Sequence, residues 1–116
     1  MSVGMVNEES FFYIAIILYE SNSDISGYLP LYQECFVLIK ATSIEEAQEK
    51  ALAHGNQEQV TYQNENQEII TWSLKQVIDV NPVLDDELDD GSELYARHFR
   101  NYQAYCGFEP LLSGEL

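Results

Sequence analysis

The sequence predicts an α+β domain: an antiparallel sheet of four to five strands with one main helix packed on one face, in the order β-β-α-β-β-β, and a C-terminal tail that is partly helical. Three observations predict it. Residues 11–19, Phe-Phe-Tyr-Ile-Ala-Ile-Ile-Leu-Tyr, are aromatic or β-branched and apolar at both parities, as a strand covered on both faces requires. Ser43-Ile44-Glu45-Glu46 has the form of a capping box that opens a helix. Ile70, Trp72 and Leu74 alternate with Thr71, Ser73 and Lys75 in a strand with one apolar face.

Residues 1–10 read as a flexible leader to a single domain over 11–100. The first strand is closed by Ser21-Asn22-Ser23-Asp24 and Gly27, and Pro30 lies near the end of the loop. A second strand over 32–41 places Cys35, Val37, Ile39 and Ala41 on one face and Glu34, Phe36, Leu38 and Lys40 on the other, and the two strands are expected to pair. In the helix, Ser43 is expected to accept from the Glu46 backbone while the Glu46 carboxylate returns to Ser43. Ile44, Ala47, Ala51 and Leu52 form its apolar stripe, and Gly55 is expected to supply a left-handed stop. The small alanines let such a helix lie close to a sheet.

Period two returns over 59–80, interrupted by Asn64-Glu65-Asn66-Gln67, a hairpin connection by composition. Val77, Ile78 and Val80 break the alternation, which a bulge or sheet edge near Gln76 explains. An acidic loop, Asp85-Asp86-Glu87-Leu88-Asp89-Asp90-Gly91, follows Pro82. Beyond it the pattern supports two readings: Tyr95, Arg97 and Phe99 alternate as in a strand, while Tyr95, Phe99, Tyr102 and Cys106 form a stripe at helical spacing. A strand over 93–99 followed by a short helical or irregular tail reconciles them. The tail, 101–116, is expected to pack on the domain or on a partner subunit, since the doubly apolar first strand needs cover on its second face.

The formal charge is -15 on 116 residues, with twenty Asp and Glu against Lys40, Lys50, Lys75, Arg97 and Arg100. So few cations cannot neutralise a row of phosphates, and the field of the whole protein repels an anionic membrane, so neither nucleic acid nor membrane is expected as a partner. Basic proteins, cations and neutral ligands remain. An apolar share of 46% is enough for a real core and separates the chain from acidic disordered tails. Cys35 and Cys106 are far apart in sequence and read as two buried thiols. Glu8 and Glu9 stand before the apolar run where a signal peptide carries Lys or Arg, and that run is far shorter than the roughly 20 residues of a membrane span. A cytoplasmic protein is the expectation.

No catalytic, metal or cofactor motif is present. With Gly91 in the glycine position of an EF-hand, Asp86 is the first ligand but the third position is Leu88 and the twelfth is Arg97, so the spacing fails. His54 and His98 lack ligand partners at zinc spacing. His54 falls in the last helical turn, where it suits the dipole. His98 is flanked by Tyr95, Arg97 and Arg100, so two of the five basic residues lie within four positions. Arg97 and Arg100 either pair with Glu93 and the acidic loop or form a cationic spot for an anion or a partner's carboxylate. Trp72 lies on the apolar face of its strand and reads first as core, although the eight tyrosines exceed what a core of this size takes and place some rings at an interface or pocket wall.

The order of motifs carries a resemblance. Phe12-Tyr13-Ile14-Ala15, then Val37-Leu38-Ile39-Lys40-Ala41 leading into Ser43-Ile44-Glu45-Glu46-Ala47, then Thr71-Trp72-Ser73-Leu74 with Val77-Ile78-Asp79-Val80, then Leu88-Asp89-Asp90-Gly91-Ser92-Glu93-Leu94-Tyr95-Ala96-Arg97 resembles the small bacterial DUF4288 family over about residues 11–100. The resemblance implies a compact cytoplasmic α+β domain and brings no activity or functional residue with it. It directs attention to Asp90, Gly91, Glu93, Tyr95 and Arg97 as a unit, in which Gly91 can serve the turn, Tyr95 packing and Arg97 an ion pair. The candidate binding residues are therefore Trp72, Asp90, Glu93, Tyr95, Arg97, His98 and Arg100. The leading functional expectation is a non-enzymatic interaction module with an acidic surface, in its sharper form an immunity-type inhibitor of a basic protein. The alternative is a small-molecule binder or small enzyme built on Tyr95, Arg97 and His98, and a homo-oligomer is compatible with either.

Overall fold

The computed structural model describes residues 9–85 and 87–113. Its elements are strand β1 (Phe11–Ser23), strand β2 (Tyr32–Ala41), helix α1 (Ile44–Gln57), strand β3 (Val60–Gln63), strand β4 (Ile69–Pro82), helix α2 (Tyr102–Phe108) and helix α3 (Pro110–Ser113). The expected α+β class, with an antiparallel sheet and one main helix, is the one observed. The sheet has four strands in the order β2-β1-β4-β3, every neighbouring pair antiparallel. Most of the leader expected over 1–10 lies outside the described residues, as does Asp86 of the acidic loop.

β1 and β4 are the inner strands, and β1 is apolar on both faces. Tyr13, Ala15, Ile17 and Tyr19 point to α1 and join Ile39, Ala41, Ala47, Ala51 and Val80 in one core; Ile14 and Ile16 are buried on the opposite face. Pairing with β4 shifts register between Ile16 and Ile17 and again between Leu18 and Tyr19, on either side of Gln76. These shifts account for the broken alternation. Val80, Val77, Leu74 and Trp72 stand opposite Ala15, Ile17, Tyr19 and Ser21, so an irregular spacing in sequence becomes a regular row on the helix face.

α1 starts as the capping box requires at its first half: the Ser43 hydroxyl accepts from the Glu46 backbone N–H at 3.1 Å. The second half differs from expectation. The Glu46 carboxylate reaches back one residue further, accepting from the Thr42 N–H at 2.6 Å and the Thr42 hydroxyl at 3.2 Å. These bonds to Thr42 hold the Glu46 carboxyl below its ordinary range. Gly55 is not the expected left-handed stop: the helix continues to Gln57. Its role is close approach, because a Cβ there would stand 2.9 Å from a Leu74 methyl. Ala47, Ala51 and Gly55, four apart, are the buried stripe, and the expected fourth member, Leu52, is 51% exposed on the helix flank.

The hairpin between β3 and β4 is as expected. Asn64 accepts from the N–H groups of Asn66 and Glu68, and Gln67 takes the left-handed turn position at φ 64°.

The expected fifth strand over 93–99 does not form. This segment crosses the second face of the sheet instead of lying beside an edge, so its backbone finds no ladder partner, although Tyr95, Arg97 and Phe99 do turn toward a common cleft. The helical reading of the tail holds from Asn101, whose side chain accepts from the Ala104 N–H at 3.0 Å and caps α2. α2 buries no residue and approaches no other element but α3. The radius of gyration, 18.5 Å, correspondingly exceeds the roughly 13 Å of a compact domain of this length.

Candidate functional site

The sheet's second face is crossed by the 93–99 segment, and what holds that segment is a polar chain. The Tyr95 hydroxyl donates to Asp79 Oδ2 of β4 at 2.8 Å, and Arg97 Nε donates to the same hydroxyl at 3.3 Å. Asp79 also accepts from the Val80 N–H at 3.0 Å and from Asn81 Nδ2 at 2.7 Å, so its carboxylate is well supplied with donors. The Arg97 guanidinium lies 5.9 Å from the Tyr95 ring centroid, within cation–π range. The Tyr95 hydroxyl, with Glu34 and Asp79 nearby, raises the Arg97 pKa further, so Arg97 is a fixed cation. The Phe36 ring meets the Tyr95 ring edge-on at 6.5 Å.

Between this chain and α2 runs a cleft of about 810 Å³ lined by Ile16, Phe36, Asp79, Arg97, His98 and Tyr105 among others. Phe99 and Tyr105 stack at 4.8 Å in its wall. The cleft therefore joins aromatic surface with one cation, a histidine and the carboxylates of Glu34, Asp79 and Glu109. It can orient an anion or a carboxylate against an apolar group.

Of the expected site residues, Tyr95, Arg97 and His98 come together in this cleft. Trp72 does not: it is half-buried against the core on the opposite face of the sheet, near the C-terminal end of α1. Asp90, Glu93 and Arg100 are exposed and lie outside the cleft lining. The expected pairing of Arg97 and Arg100 with Glu93 or the acidic loop is not found among the described residues; two of the loop's acids serve backbone donors instead. Asp85 accepts from the Glu93 N–H at 2.8 Å and Asp89 from the Asp90 N–H at 2.7 Å.

Sequence reasoning missed Asp79, although it left a signal: a carboxylate inside the apolar run Val77-Ile78-Asp79-Val80 needs a partner. It also missed a second cleft, of about 410 Å³, where Tyr19, Cys35, His54, Glu58 and Trp72 converge at the C-terminal end of α1. No spacing rule connects these positions. Cys35 and Cys106 are unbonded, and both are half-buried, not fully buried as expected.

Among the described residues no group of three His, Cys, Asp or Glu is placed to hold a metal ion, and no helix is long and apolar enough to cross a membrane. Residues 12–96 match the family model described as a domain of unknown function, DUF4288. Neither a curated protein nor a solved structure matches the chain.

Proposed function

Because the chain belongs to the DUF4288 family, whose description assigns no activity, we propose a function from its own surface: a non-enzymatic binding module whose acidic surface engages a basic protein. One observation carries this reading. The acids are largely exposed and uncompensated, for the described residues form only two ion pairs, Glu58 with His54 and Glu20 with Lys75, each at 3.7 Å. Such a surface steers a cationic partner and repels polyanions. An immunity-type inhibitor that covers the basic face of a toxin or nuclease is the sharper form.

The test is affinity capture from cell lysate at about 0.01 M and about 0.15 M salt, over which the Debye length falls from about 30 Å to about 8 Å. A basic protein retained at low salt and released at high salt is the expected result; retention indifferent to salt defeats the proposal. Self-association belongs to the same reading, since α2 is too short to persist unpacked and buries nothing in its own chain. Sedimentation equilibrium that reports only monomer at high concentration removes that part.

The second reading, a small-molecule site, is favoured by the convergence of Tyr95, Arg97 and His98 in one cleft. It requires an anionic ligand whose binding falls on Arg97→Ala, and a ligand unaffected by that change would exclude it.

A further inference from the structure

α1 has 14 residues and β1 has 13, so at about 1.5 Å and about 3.3 Å per residue the helix spans about half the length of the strand beneath it. The sheet face beyond the helix C-terminus is left without cover. The second cleft lies there, with Tyr19 and Cys35 from the sheet, Trp72 from β4, and His54 and Glu58 from the end of α1.

We propose that this cleft is a receptor for an organic cation bearing N–H donors, an alkylammonium or guanidinium group on an apolar stem. Four features favour that class. Glu58 supplies a carboxylate 60% exposed at the rim, held 3.7 Å from His54. The negative end of the α1 dipole opens on the same space. Trp72 and Tyr19 present aromatic surface and Val37 an apolar wall, suited to a cation with its stem. The net charge of -15 concentrates cations over the whole surface.

Tyr19 faces the same space: it is only 5% exposed as a residue and lines the cleft. None of the side-chain hydrogen bonds among the described residues involves its hydroxyl, which is raised in pKa by burial and nearby charge and by no bonded partner. Burial, with Cys35 and Glu58 nearby, pushes its pKa above the ordinary value, so it remains a neutral hydroxyl with a lone pair open to an incoming N–H donor. A metal ion is the wrong occupant, because the required three ligating side chains are not assembled among the described residues.

The cation can be a free amine or a Lys or Arg side chain of the basic partner proposed above, and only in the second case does the inference rest on that reading. Trp72 is the single tryptophan, so its emission reports the cleft directly. The experiment titrates n-butylammonium and n-butylguanidinium against uncharged 1-pentanol, with a lysine-rich peptide and its fully acetylated form as a second arm. A saturable change with the cations, absent with the alcohol and weakened about tenfold or more in Glu58→Gln, supports the proposal, as the loss of one charge-assisted contact should do. Tyr19→Phe, which removes only the hydroxyl, is expected to weaken ammonium binding while the far-ultraviolet spectrum is unchanged. No saturable response, an equal response to 1-pentanol, or full binding by Glu58→Gln overturns it. A peptide that saturates well below the small amines and loses binding on acetylation assigns the cation to a protein side chain; equal affinity assigns it to a free amine. Capture of a basic partner equally by wild type and Glu58→Gln would leave the proposed function standing and remove the cleft from it.

Discussion

Ser21, at 1% exposure, holds the loop between β1 and β2. Its hydroxyl meets the Tyr28 hydroxyl at 2.7 Å and accepts from the Leu31 N–H at 2.9 Å, while its own N–H donates to the Leu31 carbonyl at 2.9 Å. Ser21→Ala keeps the backbone bond but strands two partly buried groups, so chemical denaturation should show a loss of about 1–3 kcal/mol. A change within experimental error would mean that water replaces the serine fully. In sequence this residue belongs to a polar string that marks a loop, and nothing there distinguishes the one serine that turns inward. Tyr95 and Arg97 were legible as a pair in a cation-poor chain. Their anchor was not, because Asp79 lies 16 residues away and meets Tyr95 only through the fold.

At the scale of elements, β2, the hairpin, the start of α1 and the apolar part of β1 were legible because each rests on local chemistry: parity, turn composition and a cap; the end of β1 was not, because the polar string expected to close it continues the strand to Ser23 by pairing with β4. The Gly55 stop and the 93–99 strand were not, since both depend on what lies across the sheet. A glycine near the end of a helical pattern reads as a terminator, but here the absent side chain admits Leu74 and Ile17. Gly55→Ala gains helix propensity of up to about 1 kcal/mol and displaces only the end of a flexible leucine, so its net effect should be small. Gly55→Val adds branched bulk against the same contact and should cost about 1–3 kcal/mol in an unfolding titration. Equal stability of the valine variant and wild type would show that α1 does not sit as close to β4 as described.

For the whole molecule, the fold class was legible and the extended shape was not. Periodicity reports which face of an element is buried, and it is silent on whether a tail folds back. Residues 94–108 contain no acid and include Arg97 and Arg100, while the remainder of the chain is strongly acidic. Screening of self-repulsion should therefore dominate the response to salt, and the melting temperature should rise with added sodium chloride. A fall would mean that local attractions outweigh the net field.

The sheet also has two open borders, β2 and β3. Along β2, Tyr32, Phe36 and Leu38 are exposed beside unpaired backbone donors and acceptors, the arrangement that invites strand addition. The abundance of carboxylates thus has a protective consequence apart from any partner: it keeps neighbouring copies from zipping together along that border. Protonating them weakens the guard, so acid is expected to promote association along the β2 border, and an unchanged sedimentation coefficient on acidification would count against it.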